Sequence, residues 1–232
     1  MTNLDLETVE DIQNHLDNKK YIADRALSTS VFLSLKMNKP IFLEGEPGVG
    51  KTEIGKVLAK IMDTKLIRLQ CYEGLDVHNS IYEWNYSRQI LQIRMMEAEG
   101  QSDKEKISDE IFGSKFLIKR PLYQAIDYKG DSPPVLLIDE LDRADEEFEA
   151  FLLEILSDYQ ISIPEIGTIK TEIPPIVVIT SNRTREVHDA LKRRCLYHWI
   201  GYPSAKHEFE IIKRRIPEIS EVLGKRVIAF VQ

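Results

Sequence analysis

The octapeptide Gly45-Glu46-Pro47-Gly48-Val49-Gly50-Lys51-Thr52 constrains this chain more than any other segment. It fits G-x-x-x-x-G-K-[ST] and follows the apolar run Pro40-Ile41-Phe42-Leu43. It also opens a helical pattern from Glu53 to Met62, with Ile54, Val57, Leu58 and Ile61 on one face. A loop of this kind wraps an anion in its own backbone N–H groups. Glycines permit the backbone angles, and the helix beginning near Lys51 adds its positive end. The stretch from Gly45 to Glu53 therefore predicts a nucleotide phosphate site. Lys51 reaches the β- and γ-phosphates, and the Thr52 hydroxyl ligates Mg²⁺.

The rest of the chain repeats the strand-then-helix theme. Val135-Leu136-Leu137-Ile138 and Ile176-Val177-Val178-Ile179 are continuous apolar runs suited to buried strands, and shorter ones fall at 66–69 and 197–200. Helical spacing covers Leu4 to Leu16, about Ile22 to Met37, Glu146 to Leu156, His188 to Arg194, and the chain from Ser204 onward. Alternation of this kind predicts an α/β fold: a parallel sheet between helices, with ligands at the carboxyl ends of the strands. Asp139 and Glu140 close the run 135–138 at such an end. Asp139 is placed to hold Mg²⁺, and Glu140 to polarise the water that attacks a γ-phosphate. Asp142 and Arg143 follow, facing either a neighbouring subunit or solvent. Residues 161–173 read as a hairpin, turning near 165–168. The stretch 73–121 mixes aromatics with a polar patch at Gln101 to Lys106, and reads as a helix broken by an insertion.

Charge and composition remove other classes. The formal net charge is −7, a poor match for a protein whose main work is neutralising nucleic-acid phosphates. The two cysteines, Cys71 and Cys195, lie outside any CxxC or Cys/His cluster, which argues against zinc and for reduced thiols. The N-terminal residues lack a basic-then-apolar signal pattern, and no apolar run is long enough to cross a bilayer. The expectation is a cytoplasmic protein.

With Thr180-Ser181-Asn182 after the third apolar run, the set of motifs resembles that of AAA+ ATPases, and within them the MoxR group. Residues 69–76 (LQCYEGLD), 180–186 (TSNRTRE) and 191–197 (LKRRCLY) resemble CoxD-type members, ATPases linked to maturation of molybdenum-containing carbon monoxide dehydrogenase. The resemblance runs from about Tyr21 to Pro203. It implies a P-loop core over 1–203, with a helix insertion at 79–121 and a pre-sensor hairpin at 161–173. Residues 204–232 would then begin a helical lid that stops short, without a second sensor arginine. It implies ATP and Mg²⁺ as ligands, and Asn182 as a polar sensor that helps place the attacking water. Arg194, with Arg193 as second choice, would be a finger reaching the γ-phosphate held by an adjacent subunit. A solvated cation cluster at 192–194 is the competing reading. His78, His188, His198 and Trp84 read as core or interface residues rather than ligands. Beyond the chain, the resemblance implies a ring oligomer, commonly a hexamer, a partner carrying a von Willebrand factor A domain, and a metalloenzyme client. A nucleic-acid motor or clamp loader on the same core, and a non-hydrolysing ATP-binding module, are the rival functions.

Overall fold

The computed structural model describes residues 6–100 and 103–231. In chain order, α1 (Val9–Asn18) and α2 (Arg25–Met37) precede β1 (Ile41–Gly45), α3 (Lys51–Ile61) and β2 (Leu66–Gln70). Next come α4 (Val77–Ile81), β3 (Tyr82–Trp84), α5 (Tyr86–Ala98), α6 (Lys104–Ile111), β4 (Leu117–Lys119) and α7 (Pro121–Ile126). The chain continues through β5 (Val135–Asp139), α8 (Glu146–Asp158), β6 (Gln160–Ile163), β7 (Gly167–Lys170) and β8 (Ile176–Ser181). It ends with α9 (Asp189–Lys192), β9 (Leu196–Ile200), α10 (Ala205–Arg215) and α11 (Glu221–Val231).

The apolar runs become one parallel sheet of five strands, ordered β2-β5-β8-β1-β9. Alternate residues of each strand face opposite sides, so a strand covered on both faces must be apolar throughout. Phe42, Leu136, Ile138, Val177 and Ile179 enter one core, with Leu122 of α7, Phe148 and Leu152 of α8, and Leu191 of α9. Ile41, Leu43, Val135, Leu137 and Val178 enter the other, with Ile12 of α1, Leu27 and Val31 of α2, and Ile54 and Leu58 of α3. The chain leaves β1 for β2 at one edge and returns to flank β1 with β8 and β9. That change of winding direction opens a crevice beyond the carboxyl end of β1, where the glycine-rich segment 45–52 begins.

Local chemistry sets the helix boundaries. Asp24 caps α2 by accepting from the Leu27 N–H, so the helix begins at Arg25 rather than at Ile22 as periodicity alone suggests. Thr8 and Asp11 form a reciprocal capping box at the start of α1. The expected opening helix included Leu4, which lies outside the described residues.

Between α4 and α7 the chain makes an excursion. Strands β3 and β4 pair antiparallel, Tyr82 opposite Lys119 and Trp84 opposite Leu117. Helices α5 and α6 lie between them in sequence. Of the polar patch read at 101–106, Gln101 and Ser102 lie outside the described residues. Trp84 is buried and meets Phe112 edge to face, so it is a core residue. Strands β6 and β7 form the hairpin, Ile161 opposite Ile169.

Candidate nucleotide site

Glycine is forced at the first position of the loop. A Cβ on Gly45 would stand 2.0 Å from the Ile200 carbonyl oxygen of β9, so no larger residue fits without separating two paired strands. Gly50, with φ of +95°, turns the chain into α3. Lys51 is buried, and its Nζ donates to the Gly45 carbonyl at 2.8 Å and the Glu46 carbonyl at 2.6 Å. The ammonium thus lies across the loop it belongs to. Burial pulls its pKa below the usual lysine value, and the nearby Asp142 and Asp139 carboxylates work against that shift.

Thr52, at the start of α3, and Asp139, at the end of β5, meet at the carboxyl edge of the sheet from 87 residues apart in the chain. The Thr52 hydroxyl donates to Asp139 Oδ1 at 2.8 Å, and the Thr180 hydroxyl donates to the same oxygen at 2.6 Å. Arg68, from the middle of β2, donates to Asp139 Oδ2 through Nε at 3.0 Å. Sequence reasoning missed this arginine. Its signal is a charged residue set among Leu66, Ile67 and Leu69 in a strand of the central sheet.

Glu140 leaves the strand in the left-handed region, φ of +56°, and its N–H donates to Thr180 Oγ1 at 2.9 Å. Its Oε2 lies 3.0 Å from Nε of Arg143. The surface or subunit-facing position expected for Asp142 is wrong. This residue is buried and accepts from the Asn182 N–H at 3.1 Å, the Thr184 N–H at 2.9 Å and the Thr184 hydroxyl at 2.6 Å. Burial alone would raise its pKa, and the Thr184 and Asn182 hydrogen bonds bring it below the usual carboxylate range instead. Sequence missed the role because the donors come from the chain some 40 residues on.

Asn182 follows β8, and parallel pairing of Glu44 with Ser181 sets it beside the end of β1. Arg193 and Arg194 are exposed just beyond α9, where Arg194 Nη1 donates to Ala190 O at 3.3 Å. Those contacts fit either a finger or a helix-end cation cluster. His188 caps α9 through its side chain, and His198 meets Ser30 Oγ at 3.3 Å. The side chain of His78 is outside the described set.

A cavity of about 470 Å³ adjoins the loop, lined in part by Tyr21, Ile22, Gly48, Glu53, Trp199 and Tyr202. The size suits a small organic ligand with an aromatic ring. No motif announces this pocket in the sequence, because its walls come from stretches far apart in the chain, residues 20–27, 48–53 and 198–215. The Thr52 hydroxyl and Asp139 carboxylate are hard oxygen donors. Among the described residues no group of three or more His, Cys, Asp or Glu side chains could hold a metal. That donor set fits Mg²⁺, which takes one or two protein oxygens and fills the remainder with phosphate and water, and it does not fit zinc.

The sequence signature of the AAA domain, dynein-related subfamily, matches residues 40–195, and the chain belongs to that family. It is therefore a P-loop protein of the AAA+ ATPase class with the α/β fold the motifs foretold. It is 27% identical over 96% of its length to a protein named Lon protease from Cytophaga hutchinsonii, of which it spans 26%. It is 25% identical over 83% of its length to an uncharacterised protein of Staphylococcus aureus, of which it spans 65%. Among solved structures it is similar to a candidate ATPase from Cytophaga hutchinsonii, with TM-score 0.59 and 20% identity, over 91% of this chain and 58% of that one. It is also similar to the RuvB Holliday junction branch migration motor of Thermotoga maritima, with TM-score 0.51 and 16% identity, over 96% and 58%. Both likenesses speak to fold. No helix among the described residues is long and apolar enough to cross a membrane.

Proposed function

We propose that this chain binds and hydrolyses Mg-ATP and works as a MoxR-type ATPase that remodels a client protein. The observation that carries the reading is the meeting of Thr52 and Asp139, 87 residues apart, at 2.8 Å beside the buried Lys51. In this reading the backbone from Gly45 to Gly50 wraps the phosphates, with Glu46, Pro47, Gly48 and Val49 between. Lys51 neutralises the β- and γ-phosphates, and Glu53 lines the entrance. Thr52 and Asp139 hold the metal ion, which when bound offsets charge on the transferred phosphoryl. Glu140 takes a proton from the attacking water, and Arg143 fixes that carboxylate. Asn182 orients the same water. Tyr21, Trp199 and Tyr202 enclose the nucleoside.

Arg194, or Arg193, completes the site of an adjacent copy, because a guanidinium supplied in trans stabilises charge that grows on the phosphoryl group. The active unit is then a ring, a hexamer by resemblance, working in the cytoplasm. A partner with a von Willebrand factor A domain and a metalloenzyme client rest on the CoxD-type resemblance of residues 69–76, 180–186 and 191–197. The insertion at 79–121, the hairpin at 161–173 and a lid beginning at residue 204 are assigned on the same basis. A branch-migration or clamp-loading role is disfavoured by the net charge of −7.

The test is Mg-ATP turnover across a range of protein concentrations, with direct ATP binding on the same sample. Turnover per subunit that rises with concentration is the expected result. Binding without turnover at every concentration would replace the ATPase with a nucleotide-binding module, and absence of binding would remove both.

A further inference from the structure

Three buried carboxylates, Glu44, Asp142 and Glu149, hold residues between Ser181 at the end of β8 and Tyr197 at the start of β9. Glu44, at the end of β1, accepts from the Tyr197 hydroxyl at 2.8 Å and from the Ser181 hydroxyl at 3.4 Å, with Lys192 Nζ at 3.8 Å. Asp142 holds the backbone of Asn182 and Thr184. Glu149, on α8 and only 1% exposed, has the least obvious purpose. One of its oxygens is ion-paired with Arg185, and the other accepts the His188 N–H at 2.7 Å. Arg185 also donates to the Ala144 carbonyl at 2.6 Å and, through Nη1, to the Glu186 carbonyl at 2.9 Å.

A carboxylate taken out of water is costly unless both oxygens are matched. Glu149 is matched twice, and both partners belong to the single loop 182–188. That loop begins at Asn182, and α9 leads from its end to Arg193 and Arg194. Helix α8 follows Glu140 and Asp142 through the 3-10 turn Leu141–Arg143. One continuous segment therefore carries the water-activating carboxylate and the anchor for the loop opposite.

We infer that Glu149 is a positioning residue of the nucleotide site. Through Arg185 and His188 it sets the loop 182–188 against α8, so that Asn182 and the arginines beyond α9 are placed relative to Glu140 as one piece. This rests on the ATPase reading above, and it assigns Glu149 no contact with nucleotide. Displacement of about 1 Å is enough to lower a positioned reaction by orders of magnitude while leaving ground-state contacts in place. Loss of the clamp therefore acts on kcat and spares nucleotide affinity.

The experiment compares the full chain with Glu149→Ala and Glu149→Gln by ATP binding, kcat, KM, and amide hydrogen exchange over residues 182–194. Glutamine keeps an acceptor for the His188 N–H and loses the charge that holds Arg185. Expected for Glu149→Ala is a kcat at least tenfold lower, an ATP Kd within threefold, and faster exchange across 182–188. Glu149→Gln should recover part of the kcat. A kcat within twofold of the parent in Glu149→Ala overturns the inference. So does an equal loss of affinity and kcat in both variants, which is the mark of general damage. Should the parent chain show no turnover, the ATPase reading fails instead, and exchange alone decides the clamp. Unchanged protection at 182–188 in Glu149→Ala overturns it, and lost protection supports it.

Discussion

Replacing Asp142 by asparagine tests the physical account of the site at a residue whose work is done by geometry. The side chain keeps its size. One carboxylate oxygen becomes an NH₂ group, where both oxygens previously accepted hydrogen bonds. If the amide turns its oxygen toward Thr184, the Asn182 N–H faces another donor. The variant loses one hydrogen bond to a charged group, worth about 1.5–3 kcal/mol, and leaves a partly buried N–H unmatched. The sum is roughly 2–4 kcal/mol, and for a domain of this size each kcal/mol lowers Tm by about 2–4 °C. A fall of about 5–15 °C in a calorimetric or dichroism melt is expected at neutral pH. The pH dependence supplies a second check. The folded-state pKa of Asp142 lies below its ordinary value. Its contribution is therefore complete above the unfolded pKa of about 3.9 and is lost as pH falls through the folded value. The gap between parent and variant should stay constant from pH 7 to about 5 and narrow in stronger acid. A change under about 0.5 kcal/mol, or a gap that widens on acidification, would refute the reasoning.

Two further outcomes follow from the same geometry. Glu140→Gln should retain ATP while steady-state turnover falls by about two orders of magnitude or more, as for loss of a positioned base; parent-like turnover removes Glu140 from that role. Gly45→Ala should lose both fold stability and ATP binding, because the new methyl would lie 2.0 Å from the Ile200 carbonyl oxygen; a variant that melts and binds like the parent would mean β1 and β9 are not paired as described.

The sheet was legible because a strand buried on both faces must be apolar at every position. Phe42 and Ile138 serve one core while Leu43 and Leu137 serve the other, and the unbroken runs follow from that demand. The candidate phosphate loop was legible for a similar reason. Its chemistry sits in the backbone of consecutive residues, so glycine spacing alone carries it. Helix starts were less so: Asp24 moves the start of α2 by a single side-chain hydrogen bond, which periodicity does not register.

What the sequence by itself determined is thus the class of fold, and what it proposed is the local half of the candidate site: Gly45 to Thr52, and the acids Asp139 and Glu140. Tertiary structure alone decided the other half. Arg68 reaches Asp139 from a neighbouring strand, Asp142 turns inward to the loop after β8, and Glu149 closes on Arg185. The cavity beside the loop is walled by Tyr21 from before β1 and Trp199 from the last strand. A motif is readable when its atoms are adjacent along the chain. These contacts join residues tens to well over a hundred positions apart, and the sheet order β2-β5-β8-β1-β9 with the helices packed on it brings them together.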